Sequence, residues 1–221
     1  MTRLVTVSTS VGPARWHLDP APGRMRALLA LGHGAGGGVE ARDLQLLARW
    51  LPELGVTVAR FEQPWRVAGR PVAGPPHQLD AAWSAALPTV RAEAPDAPLV
   101  VGGRSAGARV ACRTAAPLGA AGVLSLAFPL HPPGRPERSR RPELVTDRPL
   151  LVVQGTRDSF GSADELRAAL GADAAEVEAI TGADHSLRVA RAGPVTQGEA
   201  DELILLAARR WLRRLLGRPA R

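Results

Sequence analysis

Short, nearly continuous apolar runs alternate with helix-like segments along the whole chain. Such runs are typical of strands that are buried on both faces of a parallel sheet. Six of them are predicted as core strands: Arg26–Leu31, Thr57–Phe61, Leu99–Gly102, Gly122–Ala127, Leu150–Gly155 and Glu176–Ile180. Leu4–Ser8 is predicted as an added edge strand. The alternation indicates an α/β fold with a mostly parallel central sheet and helices on both faces.

The segments between these strands carry apolar residues at helical spacing. Four helices are predicted from that spacing: Asp43–Leu54, Leu79–Ala94, Ser162–Leu170 and Glu199–Leu216. In the last helix one face is apolar, and we expect it to be buried; its residues are Leu203, Ala207, Trp211 and Leu215. The Gly- and Pro-rich stretches Gln63–Gln78 and Phe128–Arg148 are predicted as loops. Neither stretch is long enough to form a separate lid domain.

The composition suits a globular protein and excludes several kinds of chemistry. With 221 residues, 45% of them hydrophobic, we expect one domain over residues 1–221. All 28 basic residues are Arg, and the absence of Lys and Tyr excludes a Lys nucleophile, a pyridoxal Schiff base and the Ser-Tyr-Lys set of small reductases. Cys112 is the only cysteine, so an internal disulfide and a Cys-rich zinc site are excluded.

The net charge of +7 would suit a nucleic-acid-binding protein. However, the chain lacks Lys, Asn and Tyr and is rich in Ala, Arg, Gly and Pro, which is typical of a GC-rich genome. We therefore expect no nucleic-acid partner. No window approaches the roughly 20 apolar residues of a membrane span, and no secretory signal is visible, so we expect a cytoplasmic protein without a membrane partner. The sequence leaves a homodimer open.

The segment LVVGGRSAGARV, residues 99–110, contains the pattern G-x-S-x-G between an apolar run and a small-residue helix. This is the setting of a nucleophile elbow, a sharp turn that exposes a serine at the edge of the sheet. Bulky residues at Gly103 and Gly107 would collide with the crossing strand and helix. We therefore predict that Ser105 is a nucleophile at the N-terminus of a helix, where developing negative charge is favoured.

A serine nucleophile needs a base, and the base needs an acid that orients it. In this type of fold the chain order is Ser, then acid, then His. Asp158 lies just past the predicted strand Leu150–Gly155, and His185 lies in the loop after the last strand. The predicted set is therefore Ser105, His185 and Asp158. Asp184 is the rival acid, although its position next to His185 favours a role in capping the loop.

The glycine-rich loop after the first core strand, residues 32–38, is predicted to complete an oxyanion hole. One donor would be the N–H of Ala106, which follows the nucleophile. The second would be the N–H of Ala35, with Gly36 as the next choice.

Five residues are candidates for the lining of a substrate pocket: His33, Gly34, Gly36, Arg104 and His131. His33 opens the glycine-rich loop and is expected to order it. Arg104, beside the nucleophile, could favour an acidic substrate or form an ion pair under the elbow. His131 lies in the segment PLHPP and suits either the pocket or a rigid turn.

The glycine-rich loop also matches a dinucleotide-binding fingerprint. Gly32, Gly34 and Gly37 satisfy G-x-G-x-x-G, and Glu62 would be the acid for the ribose. Against this interpretation, the following helix pattern starts only near Asp43 rather than at the second glycine.

Five segments together resemble the α/β-hydrolases, and more narrowly the small dienelactone-hydrolase-like branch. They are HGAGG (33–37), GGRSAG (102–107), PLHPPG (129–134), QGTRD (154–158) and ADHS (183–186). That branch also contains testis-expressed proteins and a subunit of a histone acetyltransferase complex. Dienelactone hydrolases use Cys as the nucleophile, whereas this chain has Ser105.

The resemblance implies an α/β-hydrolase fold with a minimal lid or none, and a serine hydrolase acting on esters or related acyl compounds. By motif match it places the nucleophile at Ser105, the acid at Asp158 and the base at His185. The expected partner is a small-molecule acyl substrate, and no metal or organic cofactor is expected. Because some relatives are complex subunits, the alternative hypothesis is a catalytically silent interaction module with the same fold.

Overall fold

An eight-stranded sheet organises the computed structural model, which describes residues 1–144, 146–171 and 175–217. The strands are β1 (Arg3–Thr9), β2 (Gly12–Asp19), β3 (Ala27–Gly32), β4 (Val56–Glu62), β5 (Leu99–Arg104), β6 (Gly122–Leu126), β7 (Leu150–Gly155) and β8 (Glu176–Ile180). Their order is β1-β2-β4-β3-β5-β6-β7-β8. β3 to β8 are parallel, and β1 and β2 are added antiparallel at one edge. The predicted α/β fold with a mostly parallel sheet is confirmed.

Helices cover both faces of this sheet. They are α1 (Arg42–Trp50), α2 (Pro64–Val67), α3 (Pro76–Arg91), α4 (Ala106–Thr114), α5 (Arg141–Leu144), α6 (Ala163–Leu170) and α7 (Gln197–Leu216). α3, α4 and α6 pack on one face, and α1 and α7 pack on the other. Along β3, Leu28 and Ala30 face the first layer, whereas Leu29 and Leu31 face the second. Burial on both faces explains the continuous apolar runs in the sequence.

Strand β2 is the main element that the sequence analysis missed. It follows β1 after a two-residue turn and begins at Gly12. It pairs with β1 on one side and with β4 on the other. Its inward residues Ala14, Trp16 and Leu18 are buried. Their alternation with polar residues is the signal that predicts a half-buried strand.

Several predicted helices and both predicted loops differ in detail from the observed structure. The helix predicted over Leu79–Ala94 spans Pro76–Arg91 and so begins inside the predicted loop Gln63–Gln78, and the short helices α2 and α5 lie within the two predicted loops. The helix predicted over Asp43–Leu54 ends at Trp50, because Pro52 begins a separate 3₁₀ turn over Pro52–Leu54. Of the predicted inward face of the last helix, Ala207 and Trp211 are buried, whereas Leu203 is 36% exposed and the next residue, Ile204, is buried instead.

The parallel strands place their carboxyl ends at one edge of the sheet. Gly32 at the end of β3 pairs with Gly103 of β5, and Gly155 at the end of β7 pairs with Ile180 of β8. The loops that follow β3, β5, β7 and β8 therefore meet at this edge. In α/β sheets this edge is where ligands bind. Among the helices of the described residues, none has the length and apolar character that crossing a membrane requires.

Candidate active site

The turn between β5 and α4 holds Ser105 in a strained conformation. Ser105 has φ 53° and ψ −111°, and its N–H donates to the carbonyl of Leu126 at 3.0 Å. A positive φ is uncommon for a residue with a side chain, and the surrounding structure has to maintain it. The turn lifts the hydroxyl off the end of β5 at the first turn of α4, as the G-x-S-x-G pattern predicted.

The two glycines of the pattern are required because β3 and α4 pass very close to the turn. A Cβ built at Gly103 would lie 2.5 Å from the carbonyl oxygen of Gly32, and one built at Gly107 would overlap the same group. The backbone contact between Gly32 and Gly107 therefore fixes the start of α4 against the end of β3. This confirms the steric reason for glycine at both positions.

The structure brings Ser105, His185 and Asp158 together in a chain of two hydrogen bonds. Ser105 Oγ lies 2.9 Å from Nε2 of His185, and Nδ1 of His185 lies 2.8 Å from Oδ2 of Asp158. Asp158 follows β7 and His185 follows β8, so the three residues come from three different loops. With the proton on Nδ1, the imidazole donates to Asp158 and accepts from the serine hydroxyl.

The Asp158 carboxylate is buried and accepts two further hydrogen bonds. Gln154 Nε2 donates to Oδ2 at 2.8 Å, and the N–H of Phe160 donates to Oδ1 at 2.8 Å. The Phe160 ring also lies against the His185 imidazole, with the ring centres 4.2 Å apart. The carboxylate and the imidazole are thus held in one orientation by residues that the sequence analysis did not single out.

Asp184, the rival acid, is used within its own loop. Its Oδ1 accepts from the N–H groups of Ser186 at 2.7 Å and Arg188 at 3.1 Å. These bonds cap the loop that carries His185, as expected for the residue next to the imidazole.

The glycine-rich loop lies directly beside the serine. A Cβ built at Gly34 would be 3.3 Å from Cβ of Ser105, so a side chain here would require a neighbour to shift by a few tenths of an ångström. Ala35 and Ala106 line one cleft beside Ser105. A Cβ built at Gly36 meets no described atom within 4 Å, which places Gly36 on the open side of the loop.

His33 stabilises the glycine-rich loop through both of its ring nitrogens. Its Nδ1–H donates to the carbonyl of Gly34 at 2.9 Å, and its Nε2 accepts from the N–H of Gln63 at 3.2 Å. The imidazole meets the Trp65 ring edge-on and is buried, and burial lowers the pKa of His33. A neutral imidazole satisfies both hydrogen bonds, so His33 ties the glycine-rich loop to the loop after β4.

The dinucleotide interpretation is not supported by this geometry. α1 begins at Arg42, well after the last glycine of the fingerprint, so no helix N-terminus follows the glycine-rich turn directly. Glu62 lies 3.1 Å from Nε2 of His17 and 3.7 Å from Arg15. The loop instead packs against Ser105.

A family model described as "Alpha/beta hydrolase domain" matches residues 25–212. The chain belongs to the α/β-hydrolase family. The matched range includes the elbow, Asp158 and His185. No curated protein matches the chain by sequence.

Solved structures agree with this assignment. An alpha-beta serine hydrolase homologue from Coxiella burnetii is 21% identical with a TM-score of 0.76, over 95% of this chain and 98% of the other. An α/β serine hydrolase without lid from Xanthomonas campestris is 24% identical with a TM-score of 0.72, over 95% and 94%. Dienelactone hydrolase from Anabaena variabilis is 17% identical with a TM-score of 0.71, over 97% of each chain. These structures share the α/β-hydrolase fold with this chain.

This α/β hydrolase has no lid domain in its described residues. In the described part of the connection after β6, the four-residue helix α5 is accompanied by turns and irregular segments. His131 lies in this connection with both ring nitrogens engaged. Nδ1 lies 2.9 Å from the carbonyl of Pro132, and Nε2 lies 3.2 Å from Glu165 of α6. These contacts bind His131 to its own turn and to α6, and His131 is not among the residues that line the cleft at Ala35 and Ala106.

Arg104 of the hydrolase forms the predicted ion pair under the elbow. Its Nε lies 3.0 Å from Oδ2 of Asp43, and its Nη2 donates to the carbonyl of His185 at 2.8 Å. Burial raises the pKa of Asp43, and the positive charge of Arg104 acts in the opposite direction. The Arg104 guanidinium thus already binds the Asp43 carboxylate and the His185 carbonyl.

Proposed function

We propose that this α/β hydrolase is a serine hydrolase that cleaves an ester or related acyl bond of a small molecule, as carboxylesterases do. One observation carries the proposal: Ser105 Oγ and Nε2 of His185 are 2.9 Å apart while Asp158 holds the other ring nitrogen at 2.8 Å. A hydroxyl in this arrangement has a base in hydrogen-bond contact at the moment of attack.

In the first half of the proposed reaction, Oγ of Ser105 attacks the acyl carbon and its proton passes to Nε2 of His185. The carbonyl oxygen becomes an oxyanion, which the N–H groups of Ala106 and Ala35 would stabilise. Asp158 stays ionised and stabilises the imidazolium. The bond from the acyl carbon to the leaving oxygen then breaks, and His185 gives its proton to the leaving alcohol. The product of this half is an acyl-enzyme.

In the second half, water takes the place of the alcohol. His185 accepts a proton from the water as its oxygen attacks the acyl carbon of the acyl-enzyme. The bond between the acyl carbon and Ser105 Oγ then breaks, and His185 returns the proton to the serine. Acid and alcohol leave, and the enzyme returns to its initial protonation state. This sequence of steps uses side chains and backbone amides alone.

The test combines a fluorophosphonate probe, which labels activated serines, with a panel of short-chain esters. The wild type is expected to be labelled and to turn over at least one ester. Ser105→Ala is expected to lose labelling and to lower kcat/KM by about 10³-fold or more, because the nucleophile is gone. Ser8→Ala, an exposed serine on β1, is the matched control and should retain both properties.

Two outcomes contradict parts of the proposal. Equal labelling of the wild type and Ser105→Ala would show that Ser105 is not the nucleophile. Absence of labelling and of ester turnover in a folded wild type would instead favour the catalytically silent interaction module.

A further inference from the structure

Strand β1 forms one edge of the sheet and, among the described residues, pairs only with β2. Its sequence RLVTVST is rich in β-branched residues, contains neither Gly nor Pro, and carries one charge, on Arg3. That charge is already paired with Glu93, just after α3. A strand of this character at an open edge favours pairing with a further strand.

The register between β1 and β2 shows which backbone groups of β1 point outward. Pro13 of β2 has no N–H and stands opposite Ser8. Because hydrogen-bonded and non-hydrogen-bonded pairs alternate along an antiparallel ladder, Ser8 and Pro13 form a non-hydrogen-bonded pair, and so do Leu4 and Thr6 with their partners on β2. The N–H and C=O groups of Leu4, Thr6 and Ser8 therefore point away from the sheet. No backbone group of the described residues pairs with them.

The side chains of β1 add an apolar component to this edge. Leu4, Thr6 and Ser8 are exposed on one face of the strand, and Leu4 is 59% exposed. Val5 and Val7 lie on the other face, where they pack against the core and are only partly buried. A strand added beside β1 would cover more of both valines and of Leu4, and burial of this apolar surface would favour the pairing.

The opposite edge of the sheet is protected against such pairing. β8 is five residues long and carries Glu176 and Glu178. These carboxylates pair with Arg214 and Arg210 of α7. Short edge strands and charged side chains prevent edge-to-edge association. The seven-residue strand β1 has neither device, since its single charge is neutralised within the chain.

A second copy of this chain fits the open edge in an antiparallel register with Thr6 on a two-fold axis. Thr6 then faces the same residue of the second copy, and Leu4 faces Ser8 in both directions. These are the residues with outward backbone groups, so each pair is a hydrogen-bonded pair that exchanges both of its N–H···O bonds. On the other face Val5 meets Val7, which is a favourable cross-strand pair.

The charges near this edge permit self-association despite the net charge of +7. In the proposed register the charged residue of β1 stands opposite a threonine, so no like charges face each other. Every arginine of the three strands nearest this edge, β1, β2 and β4, pairs with a carboxylate: Arg3 with Glu93, Arg15 with Glu62, and Arg60 with Asp19. The edge is therefore locally close to neutral, and the excess positive charge lies elsewhere.

We infer that two copies of this chain associate through β1, antiparallel about a two-fold axis at Thr6, so that their sheets join into one. The pairing uses the open edge of each copy and leaves the protected strand β8 at both ends of the joined sheet. The assembly therefore closes as a dimer instead of growing into a filament. The inference is independent of the proposed catalysis.

Sedimentation of the full chain over a range of concentrations tests the association. Two paired strands bury less than the roughly 1,200–2,000 Å² of stable complexes, so we expect a weight-average mass near 23.2 kDa at about 1 µM that rises at least about 1.5-fold by about 300 µM. A monomer mass throughout would overturn the inference and leave the edge to a strand of another protein. Growth beyond twice the monomer mass would overturn the closed dimer.

Two substitutions of Thr6 test whether β1 is the interface. Thr6→Pro removes an outward N–H and keeps the ladder to β2, because proline is accepted where the N–H of an edge strand faces solvent. Thr6→Lys places two like charges opposite each other at the axis. Each is expected to weaken association about tenfold or more while circular dichroism shows a folded protein. Undiminished association of both folded variants would overturn the inference.

The matched control places the same charge on another exposed apolar residue. Leu206→Lys, on the exposed part of α7, should leave association unchanged. Association that is lost in Leu206→Lys and retained in Thr6→Lys would assign the interface to α7 and contradict the role of β1.

A mixture of two variants tests the position of the two-fold axis. Thr6→Glu mixed with Thr6→Lys in equal amounts is expected to recover the wild-type increase in mass, because opposite charges then face each other across the axis. Sedimentation of the mixture and of Thr6→Lys alone, at the same total concentration, measures the recovery. A mixture of folded variants that associates no more than Thr6→Lys alone would contradict the register about Thr6.

Discussion

The guanidinium of Arg104 contacts three segments that form the edge of the sheet. It pairs with Asp43 in the first turn of α1 and donates to the carbonyl of His185 after β8. A Cβ built at Gly34 would lie 3.1 Å from Nη1 of Arg104, so the guanidinium lies close against the glycine-rich loop. One residue next to the nucleophile therefore sets the relative position of the loops that carry the imidazole and the proposed oxyanion hole.

Arg104→Gln is expected to lower the free energy of unfolding by about 3 kcal/mol, because Asp43 keeps its burial and loses its counter-charge. The pKa of Asp43, already raised by burial, is expected to rise further. Ester turnover should fall at least tenfold as the His185 carbonyl loses its donor. Chemical denaturation and kcat/KM measure the two effects.

Two variants serve as controls for this prediction. Adding Asp43→Asn to Arg104→Gln should recover part of the stability without restoring turnover. Arg66→Gln breaks an exposed pair with Glu40 and should cost no more than about 1 kcal/mol. Wild-type stability in Arg104→Gln would show that the buried pair does not hold the elbow.

Helix α4, which begins after the nucleophile, is braced on its outer side by two arginines. Arg109 donates to Glu143 of α5 at 2.7 and 2.9 Å. Arg113 pairs with both Glu143 and Asp80 of α3, the latter at 2.7 Å. The network ties the short helix α5, in the connection after β6, to the helix that follows Ser105.

Glu143→Gln is expected to lower the free energy of unfolding by about 1–2 kcal/mol at pH 7, since two charge-assisted pairs are weakened. Burial raises the pKa of Glu143, but the hydrogen bond and charge of Arg109, followed by those of Arg113, outweigh it and lower the pKa below 4.5. Stability from this group is therefore present above pH 4.5 and is lost as the pH falls through the lower, folded-state pKa.

Urea denaturation of the wild type and Glu143→Gln from pH 7 to pH 3 tests this dependence. The difference between the two proteins should shrink below pH 4.5. Glu178→Gln, which breaks a pair with Arg210 at the exposed edge of the sheet, should show a smaller difference at pH 7. A Glu143→Gln effect that is constant across the pH range would rule out the ion pairs as its cause.

For the secondary-structure elements, the sequence predicted their existence more accurately than the way in which they pack. Ser162 caps α6 with Glu165 in a capping box, a signal written in four adjacent residues. By contrast, the buried stripe of α7 includes Ile204 and Ala208 and leaves Leu203 partly exposed. Rotation of a helix on a sheet depends on the shape of the sheet surface, which helical spacing alone does not contain.

At the scale of the whole molecule, a cluster of positive charge lies near the end of α7, where four arginines fall within six residues. Arg210 lies 2.8 Å from Glu178, and Arg214 pairs with Glu176, both on β8. Arg209 donates to the backbone carbonyl of Trp50. The net charge of +7 therefore includes arginines whose guanidinium groups already hold the helix to the sheet.

We expect weak binding to duplex DNA, with a Kd above about 10 µM at 150 mM salt, because phosphate contacts would have to replace these pairs. Fluorescence anisotropy with a labelled duplex measures it. A Kd below about 1 µM with a steep dependence on salt would contradict the expectation.

The sequence by itself determined the strand–helix alternation, the elbow around Ser105 and the order of Ser105, Asp158 and His185. Each of these features depends on short stretches of sequence, because strand burial, the steric demand for glycine and the turns after strands are local properties. Only the tertiary structure decided the contacts of Arg104 and Gln63. Their partners are brought close by strand order and by the packing of loops on the sheet, since residues far apart in the chain meet there after folding.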